Sequence, residues 1–242
     1  MSFSDVLHLI KGAISTICIP VHPAGIPFIL GFAGITVILF WLSGFLGTAG
    51  LVLTLWCVYF FRNPDRITPV RGGLVVSPAD GIVSMIAKVP LPAELKSAVS
   101  GTFTRISIFL NVFDVHVNRI PADGDIVETV YQPGKFLNAS LDKASEENER
   151  ATVLLKPKNH ASQIAFVQIA GLIARRIICK AEKGQVVKAG ERYGLIRFGS
   201  RVDVYLPAGT EPLVCIGQRM IGGETILADL NSSETARLGE KR

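Results

Sequence analysis

Ser200, in the stretch IRFGSRVDVYLP from Ile196 to Pro207, follows a glycine between two strand-like runs, with arginines close on both sides. Its hydroxyl is a poor nucleophile until a neighbouring base takes the proton. Asp80 in VVSPADGIV and His116 in NVFDVHVNR are the candidates to converge on it. A histidine can take and return a proton near neutral pH, and an aspartate can orient or charge-stabilise that base. Each residue also has a plainer reading. Gly199-Ser200 has the form of a two-residue type II′ hairpin with glycine at the positive-φ position, Asp80-Gly81 that of a turn, and a single histidine that of a packed core residue. His8, His22 and His160 form no metal-ligand pattern, so no metal site is expected.

The elements that must position these residues are short. LVVSPADGIVSMIAKV, TRISIFLNVFDVHVNRI, GDIVETVYQ, ATVLLKP, IAFVQIA, ARRIICKA, YGLIRF, RVDVYLP and TILADL are β-rich runs punctuated by glycine and proline, with no long helical period between them. They predict a mainly β domain over residues 62–230. SLDKASEENER, residues 140–150, reads as a loop or as a helix turn capped by Ser140, and residues 231–242 read as a frayed polar tail.

Ahead of the domain, Pro23 to Phe61 is a run of 39 residues without Asp, Glu, Lys, Arg or His. One straight helix of that length would reach roughly 58 Å, nearly twice a hydrocarbon core of about 30 Å. Two segments must therefore share residues 23–61, broken around Ser43, Gly44 or Gly47, as a membrane-associated helical hairpin that spans the bilayer or dips into it. Lys11 before it and Arg62, Arg66 and Arg71 after it put both ends on the cytoplasmic side. Residues 1–22, with Phe3, Val6, Leu7, Ile10 and Ile14 at near-helical spacing, fit an interfacial helix or an unstructured start. The first 61 residues hold only Asp5 and Lys11 as acidic and Lys/Arg side chains, so the whole excess of +5 belongs to residues 62–242 and draws that part to anionic surfaces. Cys18, Cys57, Cys179 and Cys215 are far apart and contain no C-x-x-C pair, which suggests neither a zinc site nor a disulfide framework.

SPADGIVSMIAKV and GQVVKAGERYGLIRFGS repeat a pattern, and each resembles part of the flattened β-sandwich of biotinyl and lipoyl carrier domains. In such carriers a hairpin tip presents a modified lysine. Here the matching tip is Gly199-Ser200, so the alternative of a membrane-tethered carrier or adaptor lacks its attachment residue. A membrane serine hydrolase using Ser200, His116 and Asp80 is a further alternative, without the G-x-S-x-G elbow.

Taken in order behind a hydrophobic N-terminal segment, SPADG, FDVHVNRIPADG, YQPGKFLNASLDKASEENER and FGSRVDVYLP closely resemble the phosphatidylserine decarboxylase proenzymes, in particular their short, archaeal-type branch. The resemblance runs from about Phe61 to Leu230. It implies a carboxy-lyase that makes phosphatidylethanolamine from phosphatidylserine at the cell membrane and cuts its own chain between Gly199 and Ser200. The implied partners are a membrane phospholipid and the two products of the cut, residues 1–199 and 200–242, held as a heterodimer, with no nucleic acid. The implied cofactor is a pyruvoyl group formed from Ser200, which takes the substrate amine as a Schiff base and accepts the electrons released as carbon dioxide departs. His116 is then the candidate proton donor, and Asp80 the residue that orients or charge-stabilises the base. Longer bacterial members carry a second histidine three residues after the first, and by resemblance that one acts on the serine. Arg119 stands there in this chain, and arginine is no base at ordinary pH. Either His116 performs both jobs or Asp80 acts through water. For the lipid phosphate, Arg119, Lys135 in QPGKF and Arg150 in NER are the expected donors, each with the plainer option of pairing with a nearby carboxylate. Arg175-Arg176 have the alternative of facing the membrane surface.

Overall fold

The computed structural model of the chain describes residues 19–95, 101–137, 139, 147–171, 176–197 and 199–240. Most of the expected N-terminal interfacial helix and most of residues 140–150 lie outside the described residues. The chain divides into two units, Met1–Asp65 and Arg66–Arg242.

In the first unit, α1 (Ile26–Leu42) and α2 (Gly44–Phe60) run antiparallel and are apolar throughout. Ser43, extended at φ −166° and ψ 136°, breaks the uncharged run at the first of the three expected positions. Small residues let the helices approach. Thr36 Oγ1 and Thr54 Oγ1 are 2.9 Å apart, and a side chain on Gly47 would overlap the Phe40 ring. At the open end the Asn63 N–H donates to the Pro20 carbonyl at 2.7 Å, next to a β-bridge between Val21 and Arg62. Leu30, Ile38, Trp41, Phe45, Val52 and Leu55 are exposed. The segment Pro23–Leu42 is long and apolar enough to cross a membrane, and Gly44–Phe60 is a shorter apolar helix.

The second unit is mainly β, as the β-rich runs predict, with one 3-10 turn at Ala93–Leu95 among its described residues. Its strands are β1 (Leu74–Val76), β2 (Gly81–Pro90), β3 (Thr102–Leu110), β4 (Val117–Arg119), β5 (Gly124–Gln132), β6 (Arg150–Pro157), β7 (Ile164–Ala170), β8 (Ile177–Cys179), β9 (Val186–Val187), β10 (Arg192–Ile196), β11 (Ser200–Leu206), β12 (Arg219–Met220) and β13 (Ile226–Asp229). Eight of them form one curled antiparallel sheet in the order β12-β2-β3-β11-β7-β6-β5-β9. A three-stranded sheet, β4-β10-β8, and the pair β1-β13 complete the unit. β11 lies inside the large sheet and is buried on both faces. Val202, Val204 and Leu206 point into the main core with Ile106, Ile108 and Phe166, while Arg201, Asp203 and Tyr205 alternate onto the other face.

That other face carries a second apolar cluster, with Leu91, Leu95, Phe103, Val167 and Ile169, and a set of buried polar groups beside it. Arg150 Nε and Nη2 grip the Glu94 carboxylate at 2.8 and 3.0 Å, and Thr152 Oγ1 donates to it at 2.7 Å. Burial pushes the Glu94 carboxyl up, but the hydrogen bonds from Arg150 and Thr152 and the Arg150 charge outweigh it and hold the carboxyl below the ordinary glutamate range.

The structure corrects one local expectation. Gly199-Ser200 is not a hairpin: β10 pairs with β4 and β8, whereas β11 pairs with β3 and β7. The glycine does have positive φ, +66°, but it turns the chain from the small sheet into the large one. The tail, residues 231–240, has neither helix nor strand, and Arg237 ties it back through a bond from Nη1 to the Leu213 carbonyl at 3.2 Å.

Because the folded-state pKa of Glu94 is depressed, its contribution to stability is present above about pH 4.3 and is lost as pH falls through the folded value. Arg150→Gln is expected to cost roughly 2 kcal/mol at pH 7, the scale of hydrogen bonds to a charged group. It should also flatten the acid limb of the stability curve, as read by chemical denaturation between pH 3 and 7.

Candidate active site

Ser200 is the first residue of β11, and its backbone is held from both sides, opposite Leu110 of β3 and Ala170 of β7. The alternation of the strand turns its side chain to the main-core face, where it is fully buried. The hydroxyl has no hydrogen-bond partner among the described residues. Leaving a buried hydroxyl unpaired costs free energy, so such a group is a mark of function more often than of packing.

His116 closes the loop between β3 and β4 and is also fully buried. Its Nδ1 lies 3.0 Å from the Asp114 carbonyl oxygen. A carbonyl only accepts, so the ring proton sits on Nδ1 and Nε2 is the accepting nitrogen. That Nε2 receives the Gly199 N–H at 3.4 Å, one peptide before the Gly199-Ser200 bond. The loop carrying the ring is locked by a residue that its sequence pattern did not single out. Asp114 is buried, accepts the Asn111 N–H at 2.9 Å and pairs with Arg219. The His116 carbonyl in turn accepts the Ile196 N–H at 3.3 Å, stitching this loop to the strand that leads into Gly199.

A second unanticipated residue is Gly171. It follows Ala170 at the end of β7, and a β-carbon there would overlap the carbonyl oxygen of Gly199. The third is the pair Arg201 and Asp203, on the face of β11 away from Ser200. Arg201 Nη2 donates to Asp203 Oδ2 at 3.1 Å and Nη1 to the Ala139 carbonyl at 3.0 Å, with both side chains buried. A buried cation held this firmly fixes the residue next to the serine.

Asp80 occupies the turn between β1 and β2. Its Oδ2 is 2.7 Å from Arg66 Nη2 and its Oδ1 accepts the Gly222 N–H at 2.8 Å. β3 lies between β2 and β11, so the backbones of Asp80 and Ser200 are two strand spacings apart, about 10 Å. Arg119 is buried in β4, where its N–H donates to the Pro78 carbonyl at 2.9 Å and Nη1 to the Gly190 carbonyl at 2.7 Å. Lys135 is exposed and pairs with Glu147 at 2.9 Å, and Arg150 is the partner of Glu94. The three expected phosphate donors are thus engaged with three different groups. No cluster of three or more metal-ligating side chains occurs among the described residues.

The site is a serine at the head of a central strand, directly behind a left-handed glycine whose N–H meets a histidine nitrogen. Comparison with known proteins gives the family. Residues 53–228 match the model of the family described as phosphatidylserine decarboxylase. A phosphatidylserine decarboxylase proenzyme of Cereibacter sphaeroides is 55% identical over 229 residues, covering 95% of this chain and 98% of that protein. Proteins of the same name from Paramagnetospirillum magneticum and Ruegeria pomeroyi are 56% and 58% identical, over 92% and 87% of this chain and 92% and 95% of their own lengths. The chain belongs to the phosphatidylserine decarboxylase family. These relatives are bacterial, so the archaeal part of the expected branch finds no support among them. The carrier and serine-hydrolase alternatives are not favoured.

Gly171→Ala is expected to displace the Gly199 carbonyl, because the obstacle is backbone and cannot swing aside. The variant should fold with a lowered melting temperature and show at least tenfold slower conversion of the full-length chain to two fragments on a denaturing gel.

Proposed function

We propose that this chain is a pyruvoyl-dependent phosphatidylserine decarboxylase that matures by cutting itself between Gly199 and Ser200. The observation that carries the reading is the buried, unpartnered Ser200 hydroxyl directly after a glycine at φ +66°, with His116 Nε2 on the amide of that glycine. The residues present fit a group made in place from Ser200. Its Oγ has no bond to lose, and Gly171 leaves room for the carbonyl next to it.

Self-cleavage begins when His116 Nε2 takes the Oγ proton and the oxygen attacks the Gly199 carbonyl carbon. The carbon–nitrogen bond breaks, the proton passes to the Ser200 nitrogen, and an ester replaces the amide. Elimination frees the Gly199 carboxylate and leaves dehydroalanine at position 200, and water then releases ammonia from it. The hydrogen bond from Oγ to the base is not yet made in this arrangement, and catalytic bonds of this kind commonly tighten only as the reaction proceeds. Asp80 stands two strands away with its carboxylate paired to Arg66, so its part is a long-range charge that this arginine partly offsets.

The pyruvoyl group supplies a conjugated carbonyl that accepts the substrate's electrons. The chain's own part in decarboxylation is to return a proton, and the fixed Nδ1–H tautomer leaves Nε2 of His116 as the atom that carries it. The fragment 200–242 stays in place after the cut because β11 is hydrogen-bonded along its length to β3 and β7. The α1–α2 hairpin holds the enzyme at the bilayer that contains its substrate, and Arg62, Arg66 and Arg71 keep the catalytic unit on the cytoplasmic side.

Ser200→Ala is expected to remain one chain and to release no carbon dioxide from phosphatidylserine. His116→Ala should slow cleavage or decarboxylation by at least about 100-fold, the scale of general acid–base catalysis. Full activity in Ser200→Ala would rule the mechanism out.

A further inference from the structure

The residues first expected to hold the lipid phosphate are already engaged elsewhere, yet a phosphodiester substrate needs a cationic subsite within reach of residue 200. β8 and β10 supply one. Ile177 pairs with Ile196, so the next residues outward, Arg176 and Arg197, stand opposite each other, and the Arg197 N–H donates to the Arg176 carbonyl at 3.4 Å. Like charges set directly across two strands are destabilising unless something offsets them. Burial, and then the charge of Arg176, push the Arg197 guanidinium below its ordinary range. Arg176 itself is exposed, with no carboxylate at ion-pair distance among the described residues. A carboxylate at this edge, Glu149, accepts the Ile177 N–H at 3.2 Å.

We propose that Arg176 and Arg197 form the subsite for the substrate's phosphodiester. Two guanidinium groups present the planar, bidentate donors that phosphate oxygens match. The position suits the chemistry. Residue 197 is three residues from residue 200, at most about 11 Å along the chain, and the amine of a serine phosphodiester lies roughly 5 Å from its phosphorus. A phosphate held on the side of Arg197 that faces residue 200 puts the amine within reach of it. Binding the phosphate also leaves the substrate carboxylate, which must depart as neutral carbon dioxide, without an arginine to stabilise it in the ground state.

This subsite rests on the decarboxylase reading, and the test separates the two. Arg176→Gln, Arg176→Lys and Arg197→Gln are purified, checked on a denaturing gel for complete cleavage, and assayed on phosphatidylserine in micelles of an uncharged detergent. Arg176→Gln is expected to raise KM at least tenfold while kcat falls less than threefold, Arg176→Lys to recover part of the loss, and Arg197→Gln to show a KM effect at least as large. A KM for processed Arg176→Gln within twofold of the wild type would overturn the subsite. So would an effect seen only on anionic vesicles and absent in uncharged micelles, since that pattern belongs to docking on the membrane surface. A wild-type chain that neither cleaves nor releases carbon dioxide would instead defeat the underlying reading.

Discussion

The structure depends on the placement of one peptide at the entrance to a central strand. β11 can begin at Ser200 only if the chain leaves the small sheet and enters the large one within three residues of Ile196, and the corner requires a backbone at φ +66°. Glycine takes that conformation without the penalty that other residues incur. Gly171 meets it from the neighbouring strand end, where a side chain would collide with the Gly199 carbonyl. Two glycines, 28 positions apart, thus set the exposure of a single carbonyl carbon.

Around that peptide the fold separates rigidity from reactivity. On one face of β11 the Arg201–Asp203 pair and the Ala139 carbonyl fix the strand, and on the other the hydroxyl of Ser200 faces a core that offers it no partner. A buried ion pair of this kind contributes little net stability compared with well-packed apolar groups, but losing one member is costly. Its value is that position 201, next to Ser200, cannot drift. His116 follows the same logic: Asp114, itself tied to Asn111 and Arg219, holds the loop that points Nε2 at Gly199.

Much of this was legible in local sequence, for reasons that also explain what was not. Alternating β-branched runs marked most of the strands, and the uncharged run had to break near Ser43 because of its length. β9 and β12, two residues each, are too short to carry a period. Gly199 was recognised as a positive-φ position, yet whether it serves a hairpin or a crossover depends on partners distant in sequence. Gly171 and Asp114 became visible only once β7 lay beside β11 and β3 led into the His116 loop. The expected roles of Arg150 and Lys135 illustrate the same limit. An arginine that grips a carboxylate looks, in sequence, like one that grips a phosphate, and its partner Glu94 is 56 residues away. Arg176 and Arg197 gained significance from a strand register that spacing alone does not reveal.

The central claim is that the Gly199–Ser200 amide is broken and position 200 becomes a ketone. Intact-mass analysis of the active, purified enzyme tests it most directly. The account predicts two chains ending and starting at that bond, the small one lighter than an unmodified 200–242 fragment by one ammonia and able to be trapped by borohydride with substrate amine attached. A fully active enzyme made of one unbroken chain, or a small chain that still begins with serine, would contradict it.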